Sequence, residues 1–199
     1  MKPDPEEPYD YYVLYTSGPY VNKGPHLLLE AWPEVCREFR GLRLYMVGCE
    51  GSWVEGLAKR LGLKNVVFTK RLPPDHYYHL MYRARAVVMP SVWPEAFGRI
   101  PVEANRLGVP AVVSDRGALP EVVEPGVSGL VAEADACALA VALTKILSSD
   151  FDRKKIIESV TRRINVGEVL NKFLDFLNTI SCETLIEAHH KSRNMYCNE

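Results

Sequence analysis

Two carboxylates with a turn between them are the residues of this 199-residue chain best spaced for chemistry. They lie in the stretch Pro94-Glu95-Ala96-Phe97-Gly98-Arg99-Ile100-Pro101-Val102-Glu103-Ala104, with seven residues separating Glu95 from Glu103. Phe97-Gly98 forms a short flexible corner. Pro101 suits the first position of a helix, where a missing N–H is no loss and φ is already helical. Upstream, Ala86-Val87-Val88-Met89-Pro90 is an apolar run of strand length. The order strand, loop, helix leaves orphan backbone N–H groups and the positive end of the dipole at the corner, which attracts anions. A phosphate there, with a carboxylate on each side to accept hydroxyl protons, is the chemistry of a sugar nucleotide.

The rest of the chain predicts a scaffold for that corner. Tyr11–Tyr15, Leu42–Val47, Val66–Phe68, 86–89, Ala111–Val113 and Gly129–Val131 read as six strands, each an apolar run rather than an alternating one. Helices fall between them, at Pro25 to about Phe39, Ser52 to Leu61, Pro73 to Ala84, Pro101 to Leu107, Pro120 to Val123 and Ala134 to Leu147. Leu27, Leu28, Ala31, Val35 and Phe39 mark an apolar stripe, and Ser52 with Glu55 has the spacing of a capping box. Such alternation predicts an α/β fold, a doubly wound, Rossmann-like parallel sheet of about six strands buried on both faces. Ligands then bind at the carboxyl ends of the strands. Lys23, Gly48, Arg71 and Glu95 all fall just after predicted strands, so one rim collects them.

The domain plan is a disordered lead-in over 1–10, the α/β domain over 11–147, C-terminal helices over 148–180, and a partly disordered tail over 181–199. The lead-in is rich in proline and acids, and Arg153–Ile164 and Val166–Ile180 are amphipathic. A net charge of −1 gives no basis for nucleic-acid binding. Cys36, Cys49, Cys137, Cys182 and Cys197 are odd in number and lack C-x-x-C spacing, which predicts reduced thiols. No apolar run reaches transmembrane length and Met1-Lys2-Pro3-Asp4-Pro5 is no signal peptide, so the expected location is the cytoplasm.

Other motifs have plainer readings. Asp150-Phe151-Asp152 looks like a metal-binding acid pair but lies beyond the last strand, where helix capping is the expected role. Gly48-Cys49-Glu50-Gly51 is too short for a dinucleotide fingerprint, and the histidines lack ligand spacing. Tyr77, Tyr78 and Tyr82 follow helical spacing, which reads as packing.

With these pieces in order, residues 11–147 resemble the carboxyl-terminal half of the retaining glycosyltransferases of family 4, which have the two-domain GT-B architecture. The resemblance rests on Asn22-Lys23-Gly24, Leu44-Tyr45-Met46-Val47-Gly48, Arg71-Leu72-Pro73, Pro90-Ser91, Glu95-Ala96-Phe97-Gly98, Glu103-Ala104, Gly108-Val109-Pro110, Leu119-Pro120-Glu121-Val122-Val123 and Gly126-Val127-Ser128-Gly129-Leu130-Val131. It implies a nucleoside diphosphate sugar as donor substrate, transfer of a hexose, and no metal cofactor. Glu95 would face the sugar ring as the catalytic residue, and Lys23 would place a point charge on the diphosphate. Backbone N–H groups of Phe97, Gly98, Arg99 and Ile100 would meet the sugar or the diphosphate. Glu103 would take the ribose hydroxyls, and Arg71-Leu72 would line the base.

The chain departs from the family in two ways. Ser17 and Gly18 stand where the family usually carries an Arg on the loop before the Lys, which removes a bidentate phosphate fork; Arg99 is positioned to compensate. The family's amino-terminal acceptor domain has no counterpart before Tyr11. Three readings therefore stay open: a donor-binding half that needs a separate acceptor domain or subunit, a non-catalytic nucleotide or nucleotide-sugar-binding module, and a structural domain that has kept the fold.

Overall fold

A computed structural model of the chain describes residues 10–164; the helix expected over 166–180, the tail and most of the lead-in lie outside them. The chain divides into two units, residues through Arg163 and Ile164–Glu199, and only the first is described beyond its opening residue.

Six strands, β1 (Tyr12–Tyr15), β2 (Arg43–Val47), β3 (Val66–Thr69), β4 (Ala86–Met89), β5 (Ala111–Ser114) and β6 (Gly129–Ala132), form one sheet in the order β3-β2-β1-β4-β5-β6. Every pairing is parallel, with Val13 opposite Leu44 on one side of β1 and opposite Ala86 on the other. The strand order reverses between β1 and β4, and a crevice opens there past the carboxyl ends of the strands.

Helices cover both faces: α1 (Pro25–Glu38), α2 (Trp53–Arg60), α3 (Pro74–Arg83), α4 (Arg99–Arg106), α5 (Leu119–Val122), α6 (Ala136–Ser148) and α7 (Arg153–Arg163). The period-2 geometry of a strand divides the core in two. Val13, Tyr15, Leu44, Met46 and Val88 pack with Leu28, Trp32, Val35 and Leu143 on one face. Leu14, Val47 and Val87 pack with Met81, Ala104 and Val109 on the other. Both sets are buried, so the strands carry apolar side chains without alternation. Each such side chain contributes roughly 1.5–3 kcal/mol when fully buried. Trp32 satisfies its ring N–H on Asn65 Oδ1 at 3.2 Å, which lets the indole lie wholly inside.

The sequence boundaries shift in small, explicable ways. Helix α4 begins at Arg99, two residues before Pro101, because Gly98 at φ 112° turns the chain abruptly enough to start the helix. Proline at the third helical position still lies in the first turn, where N–H groups have no intrahelical partner. Glu103 consequently falls in the second turn. Helix α6 begins after Asp135, whose carboxylate accepts from Ala138 N at 2.9 Å. Asp152 caps α7 in the expected manner, accepting from Lys154 N at 2.8 Å. A single 3-10 turn at Val21–Lys23, which the sequence reading passes over as loop, brings the Lys23 ammonium to within 2.7 Å of Glu95 Oε1. Helix α7 packs against α4 and belongs to the described unit. Among the described residues no helix is long and apolar enough to cross a membrane.

Candidate functional site

The crevice is built from the ends of β1 and β4. After β1 the chain loops through Thr16–Tyr20, where Tyr15 Oη donates to Gly18 O at 2.7 Å and Trp53 Nε1 donates to Pro19 O at 2.7 Å. These two bonds fix a loop that has no regular structure of its own. Gly24 then ends the 3-10 turn and opens α1 at φ 68°. A Cβ on Gly24 would stand 1.9 Å from Pro90 O, so β4 and the β1 loop approach closely only because this residue is glycine. The amide N–H of Val92 donates to Asn22 O at 2.9 Å and locks the two loops together.

That junction brings Lys23 to Glu95. The ammonium lies 2.7 Å from Oε1 and 2.9 Å from Oε2, and Ser91 Oγ donates to Oε1 at 2.6 Å. The backbone of Glu95 is held as firmly. It forms a parallel bridge with Gly117, its carbonyl accepts from Ala118 N at 2.8 Å, and a Cβ on Gly117 would meet Glu95 O at 2.3 Å.

Next to this pair stands the start of α4. No side chain caps it and no acid occupies its first turn. The N–H groups of Arg99 and Ile100 are therefore without intrahelical partners, while Pro101 has none to offer. Gly98 is buried against Leu119 and Val122 and admits no side chain. The side chain of Ile100 packs on the core that holds Leu14 and Val87, so only its backbone can serve a ligand. The Phe97 ring is 48% exposed. Glu103 receives Tyr77 Oη on Oε2 at 2.9 Å and Arg99 Nε on Oε1 at 3.3 Å.

Tyr77 and Arg99 also line a cavity of about 340 Å³, together with Ser17, Gly18, Tyr20, Gly48, Arg71 and Leu72. Residues after β1, after β2, after β3 and at the start of α4 thus share one cavity, and the carboxylate of Glu103 is bonded to two of its walls. Ser17 Oγ is buried there and has no hydrogen-bond partner. Burial raises the Tyr77 hydroxyl above its usual range, so it stays a proton donor to Glu103 at any ordinary pH. Among the described residues no three His, Cys, Asp or Glu side chains converge in a metal-holding group.

The structure therefore joins Lys23 to Glu95, links Arg99 to Glu103, and places Arg71 and Leu72 on the cavity wall. Sequence reasoning gave Ser91 no role in the site, and it read Tyr77 as packing, which Tyr77 does against the second core while its hydroxyl also reaches Glu103. Spacing explains Tyr77 as a packing residue on α3, and no local pattern connects it to a glutamate 26 positions away. Ser91 stands four residues before Glu95 at the end of a strand, and that position was the available signal.

Comparisons with known proteins place the chain in a family. The family described as "Glycosyl transferases group 1" matches residues 2–163. The D-inositol 3-phosphate glycosyltransferase of Corynebacterium urealyticum is 33% identical over 147 residues, which covers 68% of this chain and 34% of that protein. The chain spans about a third of the length of the curated relatives it matches. Among solved structures, Anabaena HepE in complex with UDP and glucose superposes with a TM-score of 0.71 at 24% identity, over 86% of this chain and 49% of that one. The sucrose-phosphate synthase of Thermosynechococcus elongatus gives a TM-score of 0.70 at 26% identity, over 89% and 47%. The family match runs through every described element, from β1 to the end of α7, and the chain belongs to the group 1 glycosyl transferases.

Proposed function

We propose that this chain is the donor-binding half of a retaining glycosyltransferase, which takes a hexose from a nucleoside diphosphate sugar and acts with an acceptor domain supplied elsewhere. One observation carries the reading. At the strand-order reversal, an uncapped helix start, a lysine and two glutamates lie beside a cavity lined by the loops after β1, β2 and β3.

The roles follow from the chemistry of each group. The diphosphate gains negative charge as the glycosidic bond breaks, and preorganised N–H donors and cations lower that barrier. The N–H groups of Gly98, Arg99 and Ile100, at the corner after Phe97, supply the first, and Lys23 the second. Glu95 accepts hydroxyl protons of the sugar and orients the anomeric carbon. Glu103 accepts the ribose hydroxyls in place of Tyr77 or Arg99. The base lies against Arg71 and Leu72, and the unpartnered Ser17 hydroxyl is available to the phosphates. No divalent metal is required, because Lys23 and the helix start provide the positive charge. HepE, a protein of the same fold, was solved in complex with UDP and glucose, which supports the reading. A cytoplasmic location matches the free thiols of Cys36, Cys49 and Cys137.

Titration calorimetry with UDP-, GDP- and ADP-sugars in the presence of a chelator tests the reading. Saturable binding that Glu103→Ala abolishes supports it; no heat with any of the three opposes it.

A further inference from the structure

Glu95 is held by two donors of very different kinds. Lys23 reaches both carboxylate oxygens from the end of a flexible stem, and 26% of its side chain is exposed. Ser91 donates from a single-bond arm, at 2.6 Å, and is 0% exposed. An ammonium carries three protons on a stem of four methylenes and can be drawn to a stronger anion. A diphosphate entering beside the α4 start is such an anion. The serine hydroxyl has one proton, and Glu95 Oε1 is its acceptor.

The serine is itself braced. The β4–β5 ladder ends with Met89 opposite Val113, and the residue after β4 is Pro90, which has no N–H to continue it. In place of a ladder bond, Ser114 Oγ donates to Ser91 O at 2.6 Å, and Ser114 is 1% exposed. On the other side Pro90 O rests against Gly24, whose lack of a side chain makes that contact possible. Ser91 is thereby held directly by Ser114 of β5 and through its neighbour Pro90 against Gly24, without a bond to Lys23.

We propose that Ser91, braced by Ser114, is the positioning residue for Glu95, holding its carboxylate toward the sugar of the donor once Lys23 has moved onto the diphosphate. The inference rests on the nucleotide-sugar reading of this site and adds the division of labour within it. Lys23 holds Glu95 while the site is empty, and Ser91 holds it in both states.

The test uses the whole chain and two ligand couples, UDP with UDP-glucose and GDP with GDP-mannose, by calorimetry. Ser91→Ala is expected to weaken the nucleotide sugar about tenfold while the matching nucleotide changes less than about twofold, since a hydrogen bond to a charged group is at stake only where the sugar touches Glu95. In a Glu95→Ala background the same substitution is expected to leave the ratio of the two affinities unchanged, because the hydroxyl then has no carboxylate to hold. Ser114→Ala is expected to move the ratio in the same direction by a smaller factor, and it carries the test if Ser91→Ala fails to fold in a thermal melt. Equal weakening of nucleotide and nucleotide sugar, no change in either, or a ratio that still shifts without Glu95 would each overturn the assignment of Ser91. If the unmodified chain binds neither couple and no ADP-sugar, the nucleotide-sugar reading itself falls, and this inference with it.

Discussion

Lys23 and Glu95 stand 72 positions apart in the chain, and the ammonium of one lies 2.7 and 2.9 Å from the two carboxylate oxygens of the other. The pair closes the gap between β1 and β4, the two strands where the sheet reverses its order. Glu95 precedes the α4 start by four residues, and on the proposed reading a ligand anion at that helix start competes with Glu95 for the lysine. On the proposed reading a bound diphosphate draws the flexible Lys23 ammonium off Glu95, and the Ser91 hydroxyl, 2.6 Å from Oε1, stays on the carboxylate.

Nucleotide affinity is expected to depend on Glu103 more than on its neighbours. On the proposed reading Glu103→Ala removes the acceptor for the ribose and should weaken UDP or its cognate nucleotide by at least about thirtyfold, in line with loss of charged hydrogen bonds. Tyr77→Phe keeps the cavity wall and deletes only the hydroxyl that holds Oε2, so a loss of less than about tenfold is expected. Calorimetry on the two variants checks the order; a larger effect from Tyr77→Phe would mean the ring hydroxyl, not the carboxylate, meets the ligand.

Gly24→Ala is expected to destabilise the fold by about 3 kcal/mol or more, because the new Cβ would overlap Pro90 O and φ is 68°. Urea denaturation followed by circular dichroism measures it. Gly41→Ala is the control: its φ of 83° carries the same backbone strain but its Cβ would meet nothing, so a cost of about 1 kcal/mol is expected.

These two glycines show what the sequence can and cannot reveal. The strands and helices were legible because buried parallel strands read as apolar runs and helices as stripes, and the rim residues Lys23, Arg71 and Glu95 follow from where the strands stop. The close contact of Gly24 with Pro90 was not legible, since it joins two loops that meet only when the sheet is assembled. Tyr77 was hidden for the same reason. Its ring satisfies the helical spacing of α3, while its hydroxyl answers to a glutamate on α4. The start of α4 was misplaced because proline marks a first turn, not a first residue, and Gly98 sets the corner instead.

Arg153 ties α7 to α3 and to the end of α4. It is 3% exposed, its guanidinium donates to Leu107 O at 3.2 Å and Tyr82 O at 3.1 Å, and it lies 4.6 Å above the Tyr82 ring. Arg153→Met keeps most of the stem but leaves both carbonyls without this donor, and an unmet buried acceptor costs about 1–3 kcal/mol. A destabilisation of roughly 2–4 kcal/mol is expected by chemical denaturation, and a change below about 0.5 kcal/mol would show that α7 is not anchored through this residue.

Stability is expected to fall in alkali. Burial pushes the Cys49 thiol up to about 12 from 9.0 and also raises the hydroxyls of Tyr12 and Tyr15. These groups keep their protons in the folded chain after the unfolded chain has lost them. Above about pH 9 the unfolded state therefore binds fewer protons, and the free energy of unfolding declines as pH rises toward 12. Denaturation midpoints at about pH 8 and about pH 10.5 measure the decline, and Cys49→Ala should reduce it. Equal midpoints at the two pH values would contradict the burial of these groups.

The most direct measurement is a crystal structure of the chain with its cognate nucleoside diphosphate sugar. The account predicts the diphosphate against the backbone N–H groups of Arg99 and Ile100, with the Lys23 ammonium turned from Glu95 toward it and the ribose on Glu103. A ligand seated away from the β1–β4 crevice, or one that leaves Lys23 on Glu95 and Tyr77 on Glu103, would contradict it.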